Sequence, residues 1–173
     1  MSAPAKGRAR ALGLAAALLL GGAFAARDAE AQQYLYGANA GVSSGIEGGG
    51  EGILRMTRTR LRLGIDARID ESPDDILEVG LLAEILPKSG FGADVRYARM
   101  AGERFVVDIG LTSILAPGSI YGACAGLTYR LPISKKTQIT LGPEGDFYFL
   151  GSDLPDGVVI WQLRLQGGLR VDL

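Results

Sequence analysis

The stretch Arg58-Thr59-Arg60-Leu61-Arg62-Leu63-Gly64-Ile65-Asp66-Ala67-Arg68-Ile69-Asp70 decides the fold. Thr59, Leu61, Leu63, Ile65, Ala67 and Ile69 alternate with Arg58, Arg60, Arg62, Asp66, Arg68 and Asp70. A repeat of two belongs to a strand, whose successive side chains point to opposite faces. An ordinary amphipathic strand sets its polar face in water, yet this polar face is one dense row of charge. Similar rows recur along the chain, and they predict an apolar wall facing lipid around a charged interior.

The N-terminus reads as an export signal. Lys6, Arg8 and Arg10 precede an apolar run over 11–26, and Ala29-Glu30-Ala31 before Gln32 has the small-x-small form of a signal-peptidase site. Residues 1–31 are therefore read as a signal peptide cleaved after Ala31, with Ala23-Phe24-Ala25 as a second cleavage position. The alternative, an uncleaved anchor, meets a run short of the roughly 20 residues a spanning helix needs. Cys124 is the single cysteine and lies far from the signal, so it offers neither a lipidation site nor an intramolecular disulfide.

Residues 32–173 remain as one domain of 142 residues, too short for two. Of the 18 basic and 19 acidic residues, 14 and 17 lie in this part, a near balance that excludes a nucleic-acid partner. No window after Ala26 reaches the roughly 18 apolar residues of a transmembrane helix, so a spanning domain must be a closed barrel.

Turn residues divide the domain into eight segments: 34–43, 53–70, 76–86, 91–100, 104–115, 120–131, 137–150 and 158–173. The glycine-rich 45–52, Glu71-Ser72-Pro73-Asp74-Asp75, 87–90, 101–103, 116–119, 132–136 and 151–157 are read as the connections. Each segment is at least about as long as the roughly 9 to 11 residues of a tilted membrane strand. The expected fold is an all-β, eight-stranded antiparallel up-and-down transmembrane barrel.

One sidedness runs through the segments. Leu77, Val79, Leu81, Ala83 and Ile85 oppose Glu78 and Glu84; Phe105, Val107, Ile109 and Leu111 oppose Asp108 and Thr112. Val159, Trp161, Leu163, Leu165, Leu169 and Val171 oppose Gln162, Arg164, Gln166, Arg170 and Asp172. The inner face so defined holds Arg58, Arg60, Arg62, Arg68, Arg96, Arg130, Arg164 and Arg170 against Asp66, Asp70, Glu78, Glu84, Asp94, Asp108, Glu144, Asp146 and Asp172. An eight-stranded barrel is just wide enough for side chains to fill. The charges are therefore expected to pair as a lumenal network, since buried charge needs a hydrogen-bonded partner and arginine grips carboxylates bidentately.

Aromatic residues supply a second line. Alternating strands place Tyr34, Tyr36, Tyr97, Phe105 and Tyr129 near one end and Phe91, Tyr121, Phe147, Phe149 and Trp161 near the other, the two girdles of a membrane barrel. Pro143 cannot donate to a ladder, and with Gly142 and Gly145 beside it a bulge is expected there.

On this architecture residues 34–173 resemble the small eight-stranded outer-membrane barrels of Gram-negative bacteria, the OmpA-barrel and OmpX-like group. The C-terminal Gln166-Gly167-Gly168-Leu169-Arg170-Val171-Asp172-Leu173 looks like a barrel-assembly signal, with Gln166, Gly168, Val171 and Leu173 at the signal positions and Leu173 where an aromatic is usual. The resemblance implies the outer membrane as location, outer-membrane lipid and lipopolysaccharide as surroundings, the barrel-assembly machinery as a transient partner, and a monomer.

The chain contains no histidine. That removes histidine-dependent triads, the commonest zinc sites and the histidine mechanisms of the lipid A deacylase and palmitoyltransferase barrels. No cofactor, metal set or catalytic constellation is expected. Glu144 and Asp146 have the spacing of an acid–base pair and are read as partners of lumenal arginines. Gly48-Gly49-Gly50 lacks the following lysine of a phosphate loop and reads as a flexible outer hairpin. Cys124 reads as a small packed residue, and Glu47, Glu51, Asp153 and Asp156 as outer-loop acids able to meet divalent cations. Three functions are compatible: a structural or interaction barrel closed to solutes and presenting short loops; a soluble exported lipocalin- or avidin-like calyx, which needs the apolar face inside; and a narrow ion channel.

Overall fold

The computed structural model describes residues 36–49, 55–56, 59–85, 89–154 and 157–173. The elements in chain order are β1 (Tyr36–Gly49), β2 (Arg55–Met56), β3 (Arg60–Ile69), β4 (Ser72–Glu84), β5 (Gly90–Ala101), β6 (Phe105–Ala116), β7 (Ile120–Pro132), β8 (Thr137–Gly151) and β9 (Ile160–Asp172). Consecutive strands from β3 to β9 pair antiparallel, and β1 pairs with β3 on one side and β9 on the other. The short β2 pairs with β1 beyond the end of β3, at Ile46↔Met56 and Glu47↔Arg55, so β2 and β3 share one stave. Eight staves thus close into a barrel, which leaves no free edge to offer unpaired backbone groups to lipid.

The period-two pattern settles which face is which. On β3, Leu61, Leu63 and Ile65 are exposed while Arg60 and Asp66 are buried. The same holds for Leu77, Val79 and Leu81 on β4, for Ile109 and Leu111 on β6, and for Leu163, Leu165 and Leu169 on β9. The apolar side is outside and the charged side inside, the reverse of what a soluble calyx requires. Ile69, Tyr97, Phe105 and Leu131 lie toward the end carrying the short turns at 70–71, 102–104 and 133–136. Phe91, Tyr121, Phe147 and Phe149 lie toward the opposite end, and Tyr34 falls outside the described residues.

Several boundaries differ from the sequence reading. The first strand runs on through the glycine-rich stretch to Gly49, because Gly48 and Gly49 pair with Trp161 and Ile160 of β9. A Cβ on Gly48 would lie 2.6 Å from the Trp161 ring, so the glycine leaves room for an indole laid across the strand. Gly48 and Gly49 are therefore strand residues, not hairpin, and Gly50 lies outside the described residues. The expected turn at 71–75 shrinks to Asp70 and Glu71, and Ser72 already pairs with Ile69 after a register shift.

Pro143 brings no bulge. The β8–β9 ladder runs through Pro143↔Leu165 in constant register, and on the other side the β7–β8 pairs step from Gly126↔Glu144 to Tyr129↔Leu141 without a slip. The ladder pairs at 127 and 128 are missing opposite Gly142 and Pro143, and a Cβ on Gly142 would lie 1.8 Å from the Leu127 carbonyl oxygen. The irregularity of this strand pair sits at Tyr121/Gly122.

Candidate functional site: the ion-paired interior

Inward positions of β3 to β9 bring five arginines and six carboxylates into one connected set. Arg60 donates to Asp146 at 2.8 Å, to Glu84 at 3.1 Å and to the Tyr148 hydroxyl at 2.6 Å. Asp146 and Glu144 share Arg164, which also donates to Gln162. Glu144 reaches Arg96 at 3.0 Å, and Arg96 also meets Asp108 at 3.2 Å and Asp94 at 2.7 Å. Asp94 passes the chain to Arg62 at 2.9 Å, Arg62 to Glu78 at 3.2 Å, and Glu78 to Arg130 at 3.8 Å. Most of these groups are buried, Arg60 at 1% exposure and Asp146 at 0%.

A second cluster lies near the short-turn end. Arg170 grips both oxygens of Asp66, with Nε 3.0 Å from Oδ2 and Nη2 2.6 Å from Oδ1, and its Nη1 meets Asp172. Of the lumenal positions read from sequence, Arg60, Arg62, Asp66, Glu78, Glu84, Asp94, Arg96, Asp108, Arg130, Glu144, Asp146, Arg164 and Arg170 thus enter one cluster or the other. Arg68 is half-buried and stands outside both among the described residues. Asp70 is exposed in the turn, not inside, and Arg58 lies outside the described residues.

Glycine makes the space these head groups occupy. A Cβ on Gly80 would lie 2.3 Å from Asp94 Oδ1 and 2.8 Å from Arg62 Nε, and one on Gly37 would lie 2.5 Å from Arg170 Nη2. At Gly80 and Gly37 an ion pair crosses the backbone through the space a side chain would take.

Three features escaped the sequence reading. Glu47 is a buried β1 residue whose carboxylate accepts from Gln162 Nε2 at 2.7 Å, not an outer-loop acid. Tyr148 is fully buried and its hydroxyl also donates to Asp146 at 3.2 Å. Inward apolar groups cap the charges at both ends: Ile76, Ala98 and Val106 with Met100 toward the short turns, and Leu82, Ile114 and Tyr148 with Ile120 and Ile160 toward the other end. The alternation that marks Tyr148, Ile76 and Leu82 as inward is present in the sequence, but as uncharged residues they carry no signal of an ionic interior.

Cys124 is buried at 2% exposure, inward among these groups. Asp153 is exposed, while Glu51 and Asp156 lie outside the described residues. At the C-terminus, Gln166 faces inward and donates to Thr128 Oγ1 at 2.9 Å. A Cβ on Gly168 would lie 2.4 Å from the Ala40 carbonyl oxygen, and Val171 and Leu173 are exposed on the outside. Among the described residues the interior holds a cavity of about 50 Å³ lined by residues including Asn39, Arg62, Glu78, Arg130, Gln166 and Arg170. A water needs roughly 10–15 Å³ of such volume, so this has room for a few waters.

No protein-family model matches the chain, and no curated protein matches it in sequence. Among solved structures it is similar to the N-terminal β-barrel domain of Pseudomonas aeruginosa OprF, at 13% identity and TM-score 0.51, over 78% of this chain and 96% of that one. It is also similar to Neisserial surface protein A, at 13% identity and TM-score 0.48, over 80% and 97%. A third is Ail, the attachment invasion locus protein of Yersinia pestis, at 10% identity and TM-score 0.49, over 78% and 97%. At these identities the likeness is one of fold. The closed eight-stave antiparallel barrel, here apolar outside and ionic within, is the fold this chain shares with the OprF barrel domain.

Proposed function

We propose that residues 1–31 direct export and are removed, and that residues 32–173 sit in the outer membrane of a Gram-negative bacterium as a barrel closed to solutes. Its role on this reading is structural or interactive: to span the bilayer, monomeric and without catalytic chemistry, and to present its loops outside. The observation that carries the reading is the continuous ion-pair chain from Glu84 through Arg60, Asp146, Arg164, Glu144, Arg96, Asp94 and Arg62 to Glu78. Paired charges of both signs, capped by apolar side chains at each end, fill the space that a conducting pore would keep for water.

The test is to refold residues 32–173 into lipid vesicles and compare unboiled with boiled samples by dodecyl sulfate electrophoresis, then to record conductance in a planar bilayer. A heat-dependent mobility shift with no discrete conductance is the expected result. A shift accompanied by steady ion-selective conductance would establish the channel reading. Folding in plain buffer with a single mobility would refute membrane insertion.

A further inference from the structure

We propose that the short-turn rim carries a binding surface for anionic glycerophospholipid headgroups, built on the β5–β6 and β7–β8 turns. This rests on the outer-membrane reading, because only an inserted barrel sets its outward rim level with headgroups. The rim is electrically divided. The β3–β4 side exposes Asp70, Glu71 and Asp74, whereas the neighbouring sector exposes Arg99, Arg104, Lys135 and Lys136 beside the exposed acid Glu103, with half-buried Asp75 next to Arg99.

The basic sector is also held in place. Arg99 projects outward from β5 with its side chain 64% exposed, and its Nε is a loose 3.7 Å from Asp75. Asp75 is engaged more closely by the Tyr97 hydroxyl, at 2.7 Å. Arg104 donates to the Tyr129 hydroxyl at 3.0 Å, and that ring packs on Phe105 with centroids 5.2 Å apart. The Arg104 carbonyl accepts from Arg130 N at 2.7 Å, so the β5–β6 turn is fixed against the end of β7. The Lys135–Lys136 turn is tied down in its turn, with Ile133 N bonding Thr137 O at 2.9 Å and Asp172 N bonding Lys136 O at 2.8 Å.

Arg99 and Arg104 stand where the apolar outer face ends, beside Tyr97, Phe105 and Tyr129, and Lys135 and Lys136 occupy the turn that follows β7. Amphipathic rings and long basic side chains at such a level place their stems in hydrocarbon and their heads among phosphates. A headgroup carrying a phosphodiester and no compensating ammonium gains from every one of the cations, and a zwitterionic headgroup brings its own positive charge against them.

Native mass spectrometry of the refolded barrel, titrated with phosphatidylglycerol or with phosphatidylcholine of the same acyl chains, tests this. Insertion is checked first by the heat-dependent mobility shift. The expected result is about tenfold stronger retention of phosphatidylglycerol, lost in the Arg99→Gln/Arg104→Gln/Lys135→Gln/Lys136→Gln variant and kept in Asp70→Asn/Glu71→Gln/Asp74→Asn. Should the quadruple variant not fold, Lys135→Gln/Lys136→Gln decides, with a partial loss expected. Equal retention of both lipids, or a preference untouched by the basic-to-glutamine changes, overturns the proposal while leaving the barrel intact. Failure of the mobility shift itself refutes the outer-membrane reading on which the proposal stands.

Discussion

Replacing Arg170 with Met, alone and together with Asp66→Asn, probes the ionic interior where the wiring is simplest. Among the described residues Asp66 has one ion-pair partner, Arg170, which grips both its oxygens, and the carboxylate is 2% exposed. Removing the guanidinium leaves that charge buried and uncompensated, at a cost of about 3–5 kcal/mol. Asp66→Asn alone leaves Arg170 with Asp172 and forfeits charge-assisted hydrogen bonds worth about 1.5–3 kcal/mol. In the double variant neither group strands the other. Its loss should therefore be smaller than the sum of the single losses by at least about 2 kcal/mol, a factor of about 30 in the folding constant. The assay is reversible urea-dependent folding into vesicles followed by emission of Trp161, the single tryptophan. Additivity within about 0.5 kcal/mol would refute the claim that the interior is held by specific pairs.

Other perturbations address the outside, the packing and the cap. Leu165→Arg, at an outward position 61% exposed, should cost about 2–4 kcal/mol near the midplane, measured by the same urea titration. Gly80→Ala should cost about 1–3 kcal/mol, because its Cβ would drive Asp94 away from Arg62. Tyr148→Phe removes the hydroxyl bridging Arg60 and Asp146 and should cost about 1–1.5 kcal/mol with the mobility shift retained. Cys124, buried at 2% exposure, should resist a thiol reagent in the folded barrel and react at once in urea.

Period two made the faces of β3, β4, β6 and β9 legible, because a strand leaves a side chain no third direction. Turn chemistry misled where pairing across the sheet overrode it. Gly48 and Gly49 have loop composition, but β9 supplies ladder partners and an indole that only a glycine admits. Pro73 and Asp74 look like a turn, yet β4 begins before them, since the tight Asp70–Glu71 reversal already satisfies the hairpin. The lumenal residues could be named by sidedness, but their partners could not. Arg60 reaches Asp146 across 86 positions of sequence, a contact that exists only once the barrel has closed.

That closure also explains why an ionic interior suits this chain. In water, burying aliphatic groups tells a strand which way to turn; against lipid the outside is already apolar, so contrast must come from the inside. A one-residue slip of β3 would turn Arg60, Arg62, Asp66 and Arg68 toward hydrocarbon together. Each arginine so turned costs about 2–4 kcal/mol near the midplane. The charges therefore set register by penalising the alternative, whatever their pairing contributes to the native state. Such a role predicts an effect in two readouts. Replacing Arg60, Arg62 and Asp66 together with uncharged residues of similar volume should lower folding stability, because buried Glu84 loses Arg60, and should also broaden the folded band into several mobilities as slipped registers become populated. A single sharp band from that triple variant would show that the apolar face and the turns define register without help from the lumen.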